Sequence, residues 1–172
     1  MKNRLRAVAG IVLAIALCSC FKGQTAVTEI KSFSTVDLDG IISRTDVTID
    51  KDISSTGQGS AKITANEPRT VRLFETGPID VDNARLIYKA KLRTGDVRGQ
   101  AYLEMWCSFP GKGEFFSRGL QNPLSDANEW TASEIPFFLK SGEKPDNVKL
   151  NVVINGTGTV WIDDVRLLKG PL

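Results

Sequence analysis

Three stretches of the chain change character at every residue. In Arg85 to Arg93, the residues Leu86, Tyr88, Ala90 and Leu92 alternate with Arg85, Ile87, Lys89, Lys91 and Arg93. In Gln100 to Phe109, Ala101, Leu103, Met105, Cys107 and Phe109 fall on one side, and Tyr102, Glu104, Trp106 and Ser108 on the other. Val148, Leu150, Val152 and Ile154 alternate in the same way with Lys149, Asn151, Val153 and Asn155. A period of two places successive side chains on opposite faces of an extended backbone. Each stretch is therefore predicted to be a strand with one face in a core and the other toward solvent. No long segment holds a helical period.

Shorter strands are predicted at Thr35 to Leu38, Asp46 to Ile49, Ser60 to Ala65 and Thr70 to Thr76, with Gly57-Gln58-Gly59 before the third and Gly77-Pro78 after the fourth. Arg93-Thr94-Gly95-Asp96 and Asn155-Gly156-Thr157-Gly158 read as turn-rich linkers. Roughly eight to ten short strands at such spacing predict an all-β, two-sheet antiparallel sandwich. The polar segment Gln121 to Glu129 is expected at one rim.

The first twenty residues belong to a different layer of organisation. Lys2, Arg4 and Arg6 form a basic head, Ala7 to Leu17 is apolar or small throughout, and Leu17-Cys18-Ser19-Cys20 closes the run. An apolar run this short behind a basic head is a secretory signal, because a membrane span needs about 20 apolar residues. The closing tetrapeptide resembles the bacterial lipobox, in which a small residue precedes a cysteine that is lipidated and becomes the new N-terminus. Cys20 fits, with Ser19 before it and Leu17 three residues upstream. Cys18 fits poorly, because bulky Leu17 stands where a small residue is wanted. The expected organisation is a signal peptide at 1–19, a lipidated N-terminus and tether at 20–33, and a β-sandwich at 34–172. The resemblance implies export and membrane anchoring through acyl chains on Cys20. Phe21 rather than Asp follows Cys20, which leans toward the outer membrane if the host is Gram-negative.

Maturation would take three of the 22 Lys and Arg and none of the 20 Asp and Glu, leaving a formal charge of −1. The apparent basicity belongs to the signal, so no nucleic-acid partner is implied. The chain has no histidine, which excludes Ser-His-Asp and Cys-His nucleophile machinery and histidine metal sites. Cys107 would remain as a lone thiol with no basic neighbour, which reads as a small core filler on a strand.

A family likeness rests on four pieces in order. Gly57-Gln58-Gly59-Ser60-Ala61-Lys62-Ile63 resembles the G-x-G-S-x-x-I turn and strand near the start of galactose-binding-like jelly-roll domains. Ala84 to Leu92 is similar to their central strand, Glu129-Trp130-Thr131 to the W-T pair opening a later strand, and Val160 to Leu167 to their closing I-D-D-V-x-L strand. The resemblance spans about residues 34 to 169 and implies a jelly-roll sandwich of the carbohydrate-binding-module type. It also implies a structural calcium, with Asp163 as the last-strand ligand and Asp37 or Asp39 as a second carboxylate. Asp52 or the 53–58 loop could add further oxygens, as calcium prefers. The alternative is that Asp163 and Asp164 cap the last strand and accept hydrogen bonds from loop amides.

Sugar binding needs flat aromatic faces against ring C–H groups and planar polar groups for hydroxyls. Tyr102, Glu104 and Trp106 supply both on one strand face, and Arg118, Arg72 and Asn151 are polar candidates if their strands neighbour it. The competing reading makes the same stripe structural cover under a loop. Trp130 and Trp161 read as packing. The leading functional expectation is a non-catalytic, membrane-anchored lipoprotein module that binds carbohydrate or cell-envelope glycan. The alternative is an envelope protein–protein scaffold. A glycosidase would need two placed carboxyl groups, and no motif gives Glu104 a partner.

Overall fold

A computed structural model describes residues 26–172 of the 172-residue chain. The segment expected to be a signal peptide, 1–19, and the expected lipidation site Cys20 lie outside the described residues. Eight strands follow in order: β1 (Thr28–Phe33), β2 (Val47–Asp50), β3 (Ser60–Ala65), β4 (Arg69–Glu75), β5 (Ala84–Phe109), β6 (Gly113–Arg118), β7 (Thr131–Leu139) and β8 (Asn147–Gly170). Every pairing is antiparallel. Among the described residues no helix is long and apolar enough to cross a membrane.

Two of the strands are far longer than the sequence suggests. β5 runs for 26 residues and β8 for 24, and they pair with each other along nearly their whole length. Their opposite halves serve different layers. The C-terminal half of β8 lies between the first half of β5 and strands β3 and β1, with β2 outside β3 and β7 outside β5. The N-terminal half of β8 lies between β4 and the second half of β5, with β6 outside β5.

Ring contacts show that the hydrogen-bonded surface folds over on itself. Phe137 of β7 stands opposite Leu86 at the start of β5. Phe109 ends the same strand, roughly 75 Å from Leu86 if the backbone ran straight. The rings of Phe109 and Phe137 are nevertheless 6.1 Å apart. Phe33 of β1 likewise stacks on Phe74 of β4 at 4.8 Å. The two halves are thus the layers of a sandwich, and a single buried cluster draws residues from both.

The bend falls where turn-rich linkers were expected. The register slips between Gly95 and Arg98, and Gly99 then faces Gly156. Both have positive φ, 123° and 148°. A Cβ on Gly156 would sit 1.9 Å from the Arg98 carbonyl oxygen, and one on Gly99 would sit 2.1 Å from that of Asn155. The backbones approach so closely that only glycine fits at either position. The glycines therefore mark a corner inside two continuous strands rather than breaks between shorter ones.

Two further expectations change. Thr28–Phe33, within the segment expected to be a tether, is an edge strand paired with β8, so the folded region begins earlier than residue 34. Its TEIKSF text carries little apolar alternation because four of its six residues are exposed. Thr35 to Leu38 is a series of bends rather than a strand.

Candidate functional site

Register carries the site. On the second half of β5 the even residues Tyr102, Glu104 and Trp106 turn away from the core, because Ala101, Leu103, Met105 and Cys107 are at most 1% exposed on the inner face. Glu104 pairs with Arg118 of β6 on one side and Asn151 of β8 on the other. Asn151 in turn pairs with Arg72 of β4. Arg72, Asn151, Glu104 and Arg118 therefore form one polar row across four strands. The sequence nominated all four, and register joins them.

Within the row, Arg118 Nε donates to Glu104 Oε2 at 2.6 Å and Asn151 Nδ2 donates to Glu104 Oε1 at 3.0 Å. Burial pushes the Glu104 carboxyl upward. Hydrogen bonds from Asn151 and Arg118, with the Arg118 charge, outweigh that and hold it below the ordinary glutamate value. The Asn151 Oδ1 atom is buried without a hydrogen-bond partner.

The neighbouring row runs Lys149, Trp106, Phe116. The Trp106 and Phe116 rings lie 4.9 Å apart, and the Arg118 guanidinium sits 4.4 Å above the Phe116 ring. Arg118 therefore clamps Phe116 from above and neutralises Glu104 beside it. Phe116 is 51% exposed. Sequence reading missed it; the signal was its spacing of two from Arg118 on a strand that returns against Trp106.

The expected sugar-binding stripe needs correcting in part. Trp106 is half-buried and Arg118 exposed, but Tyr102 and Glu104 are only 9% and 3% exposed. The Glu104 carboxylate already holds two partners, and Tyr102 lies beside the segment in which Leu124 exchanges backbone hydrogen bonds with Ala101. The open surface is Trp106, Phe116 and Arg118. Trp130 is half-buried just before β7. Trp161 is half-buried on the opposite sheet, where its indole N–H donates to Asp50 at 2.9 Å.

Asp163 is 2% exposed and organises the 53–58 loop. Its Oδ2 accepts from the backbone N–H of Ser55 at 2.8 Å and of Thr56 at 3.1 Å, and lies within 3.2 Å of the Ser54, Ser55 and Thr56 hydroxyls. Its Oδ1 accepts from Thr35 Oγ1 and the Asp164 N–H. Burial raises its pKa, but the hydrogen bonds, led by those from Ser55, hold it below the ordinary aspartate value. Three N–H groups aimed at one carboxylate present positive ends where a cation would sit. This donor set does not fit calcium. Asp39 is exposed, its N–H accepted by Asp37, and no group of three or more acidic or thiol ligands converges among the described residues. The loop-amide alternative describes Asp163; the acid pair Asp163 and Asp39 does not assemble.

The architecture is an all-β antiparallel jelly-roll sandwich. Solved structures of carbohydrate-binding modules share it. The chain is similar to the CBM22-1 and GH10 modules of Clostridium thermocellum xylanase 10B complexed with xylohexaose (TM-score 0.59, 14% identity, over 81% of this chain and 28% of that one). It is similar to the CBM22-1 xylan-binding domain of Paenibacillus barcinonensis Xyn10C (TM-score 0.55, 9% identity, 86% and 94% covered). A family 16 carbohydrate binding module also superposes (TM-score 0.52, 10% identity, 71% and 84% covered). At these identities the fold is what is shared. No family model matches the sequence, and no curated protein matches it.

Proposed function

We propose that the chain is a non-catalytic binding module for carbohydrate, most concretely cell-envelope glycan, held at a membrane by acylated Cys20. The observation that carries this reading is the Trp106–Phe116–Arg118 surface resting on the Glu104–Asn151 network. Two aromatic faces offer stacking area for sugar C–H groups. The Arg118 guanidinium, fixed at Nε by Glu104, keeps its terminal N–H groups for hydroxyl oxygens. The fold's likeness to modules named for carbohydrate and xylan supports the ligand class. The basic head, apolar run and lipobox-like tetrapeptide support the anchor, placed in the outer membrane if the host is Gram-negative.

The test is glycan-array binding by the processed chain with Cys20→Ser, alongside Trp106→Ala. Binding that falls at least about tenfold in a folded Trp106→Ala variant supports the reading. Absence of binding across plant, microbial and host glycans refutes it. Intact-mass measurement of the processed protein tests the anchor, since an unmodified Cys20 would remove it.

A further inference from the structure

The sandwich is incomplete along one side. β6 and β7 edge the two layers there, and each pairs only with β5 among the described residues. Between them lies a cleft of about 940 Å³, lined by inward-facing residues of both layers and, at its outer lip, by Phe116 and Arg118. Its apolar lining includes Phe109, Phe115, Ile135 and Phe137. Phe115 stands opposite Cys107, and Phe137 opposite Leu86. These partners are fully buried, so both phenylalanines occupy inward-facing positions. Phe115 is nevertheless 51% exposed.

Small residues leave the space open. Ser117 lies opposite Met105, and Ser133 opposite Ala90. Both serines point toward the core side of an edge strand, where a large apolar residue would close the gap. Each lines the cleft.

The ends of the cleft are bounded. At one end Lys112 of the β5–β6 turn contacts Glu143 of the β7–β8 loop at 3.4 Å. At the other, Gly119 backs so closely on Ile135 that a Cβ would lie 3.2 Å from its Cγ2, and Leu124 pairs with Ala101 beyond it. An added β-strand would have to run past both closures, which argues against an extended polypeptide. The charge at the mouth is selective. Arg118 is paired with Glu104 and Glu134 with Lys89, whereas Lys112 and Lys140 share the single carboxylate of Glu143, which pairs with Lys112 and accepts from the Lys140 backbone N–H, leaving one positive charge in surplus at that end. One cation beside an apolar slot between sheets complements one anionic group on one apolar chain.

We infer that the β6–β7 cleft binds a single-chain fatty acid, with the acyl chain between the layers and the carboxylate at Lys140. Phe116 and Arg118 of the glycan surface also line the cleft, but the acyl chain would lie against the inward-facing residues, so the slot-filling substitutions are made on that side alone. Its test is titration of the processed chain, carrying Cys20→Ser, with the fluorescent polyene fatty acid cis-parinaric acid, followed by displacement with palmitate or the neutral alcohol hexadecanol. The expected result is saturable one-to-one binding that palmitate displaces at lower concentration than hexadecanol. Ser117→Leu and Ser133→Leu fill the slot with apolar volume, so each should weaken binding by about tenfold or more without lowering the denaturation midpoint. Lys140→Gln should remove the preference for palmitate over hexadecanol. Absence of saturable binding, undiminished binding in both folded leucine variants, or equal displacement by acid and alcohol in the unsubstituted chain would each overturn the inference. Glycan binding retained by Ser133→Leu separates this site from the outer face.

Discussion

Replacing Glu104 tests whether the outer face is built on a buried charge network. Glu104→Ala removes two partners at once. Hydrogen bonds to a charged group contribute about 1.5–3 kcal/mol each. Arg118 can recover much of its share, because its side chain is 37% exposed and turns readily to water. Asn151 cannot, because it is 5% exposed and its Oδ1 already lacks a partner. Leaving its amide wholly unpaired adds about 1–3 kcal/mol. The expected loss is about 3–5 kcal/mol, as for other broken buried pairs. Glu104→Gln keeps the volume and one acceptor, and should lose about 1–2 kcal/mol. Glu104→Leu combined with Asn151→Leu substitutes apolar groups for both partners, and should return to within about 1 kcal/mol of the unsubstituted chain.

Urea denaturation at neutral pH measures all three, and a pH series supplies the sign. The folded Glu104 carboxyl lies below its unfolded value, so its contribution is full above the unfolded range, about pH 4.3. It is lost as pH falls through the folded value, and the gap between the unsubstituted chain and Glu104→Gln should close in that acid range. A loss below about 0.5 kcal/mol for Glu104→Ala, or equal losses for the Ala and Gln variants, would refute this account.

Other positions give sharper single outcomes. Asp163→Asn places an amide donor against N–H groups and should cost about 2–4 kcal/mol by urea denaturation, with new proteolytic cleavage in the 53–58 loop. Because its donor set does not fit calcium, chelator and added calcium should leave the thermal midpoint unchanged, and a rise with calcium would contradict that conclusion. Gly156→Ala forces a Cβ onto the Arg98 carbonyl at positive φ and should cost more than about 3 kcal/mol or prevent folding; circular dichroism and expression yield report it. Burial pushes the Cys107 thiol up to about 12, so thiol reagents near pH 8 should modify it only after denaturation, and native labelling would contradict its place in the core.

Much of the fold was legible because alternation reports which face of a strand is buried. Leu86, Tyr88, Ala90, Leu92 and the odd residues from Ala101 to Cys107 are all core, and Ser60–Ala65 is a strand with the expected bounds. Strand continuity was not legible. Gly95, Gly99, Gly156 and Gly158 carry the local text of turns, and only pairing between β5 and β8 across the corner makes them strand. Likewise Glu104 was visible as a polar residue on an aromatic stripe. Its burial depends on Arg118 and Asn151, which are 14 and 47 residues away in the chain. Long separation is also why Phe116 and Ser117, adjacent in sequence, could not be assigned to opposite faces with opposite roles.

Because both layers are woven from the same two threads, neither can melt while the other survives. Straightening β5 or β8 at the glycine corner would pull one layer from the other and expose both interiors together. A ligand that tightens the face around Trp106 therefore stabilises the distant sheet carrying β1 as well, and the molecule answers binding as one body.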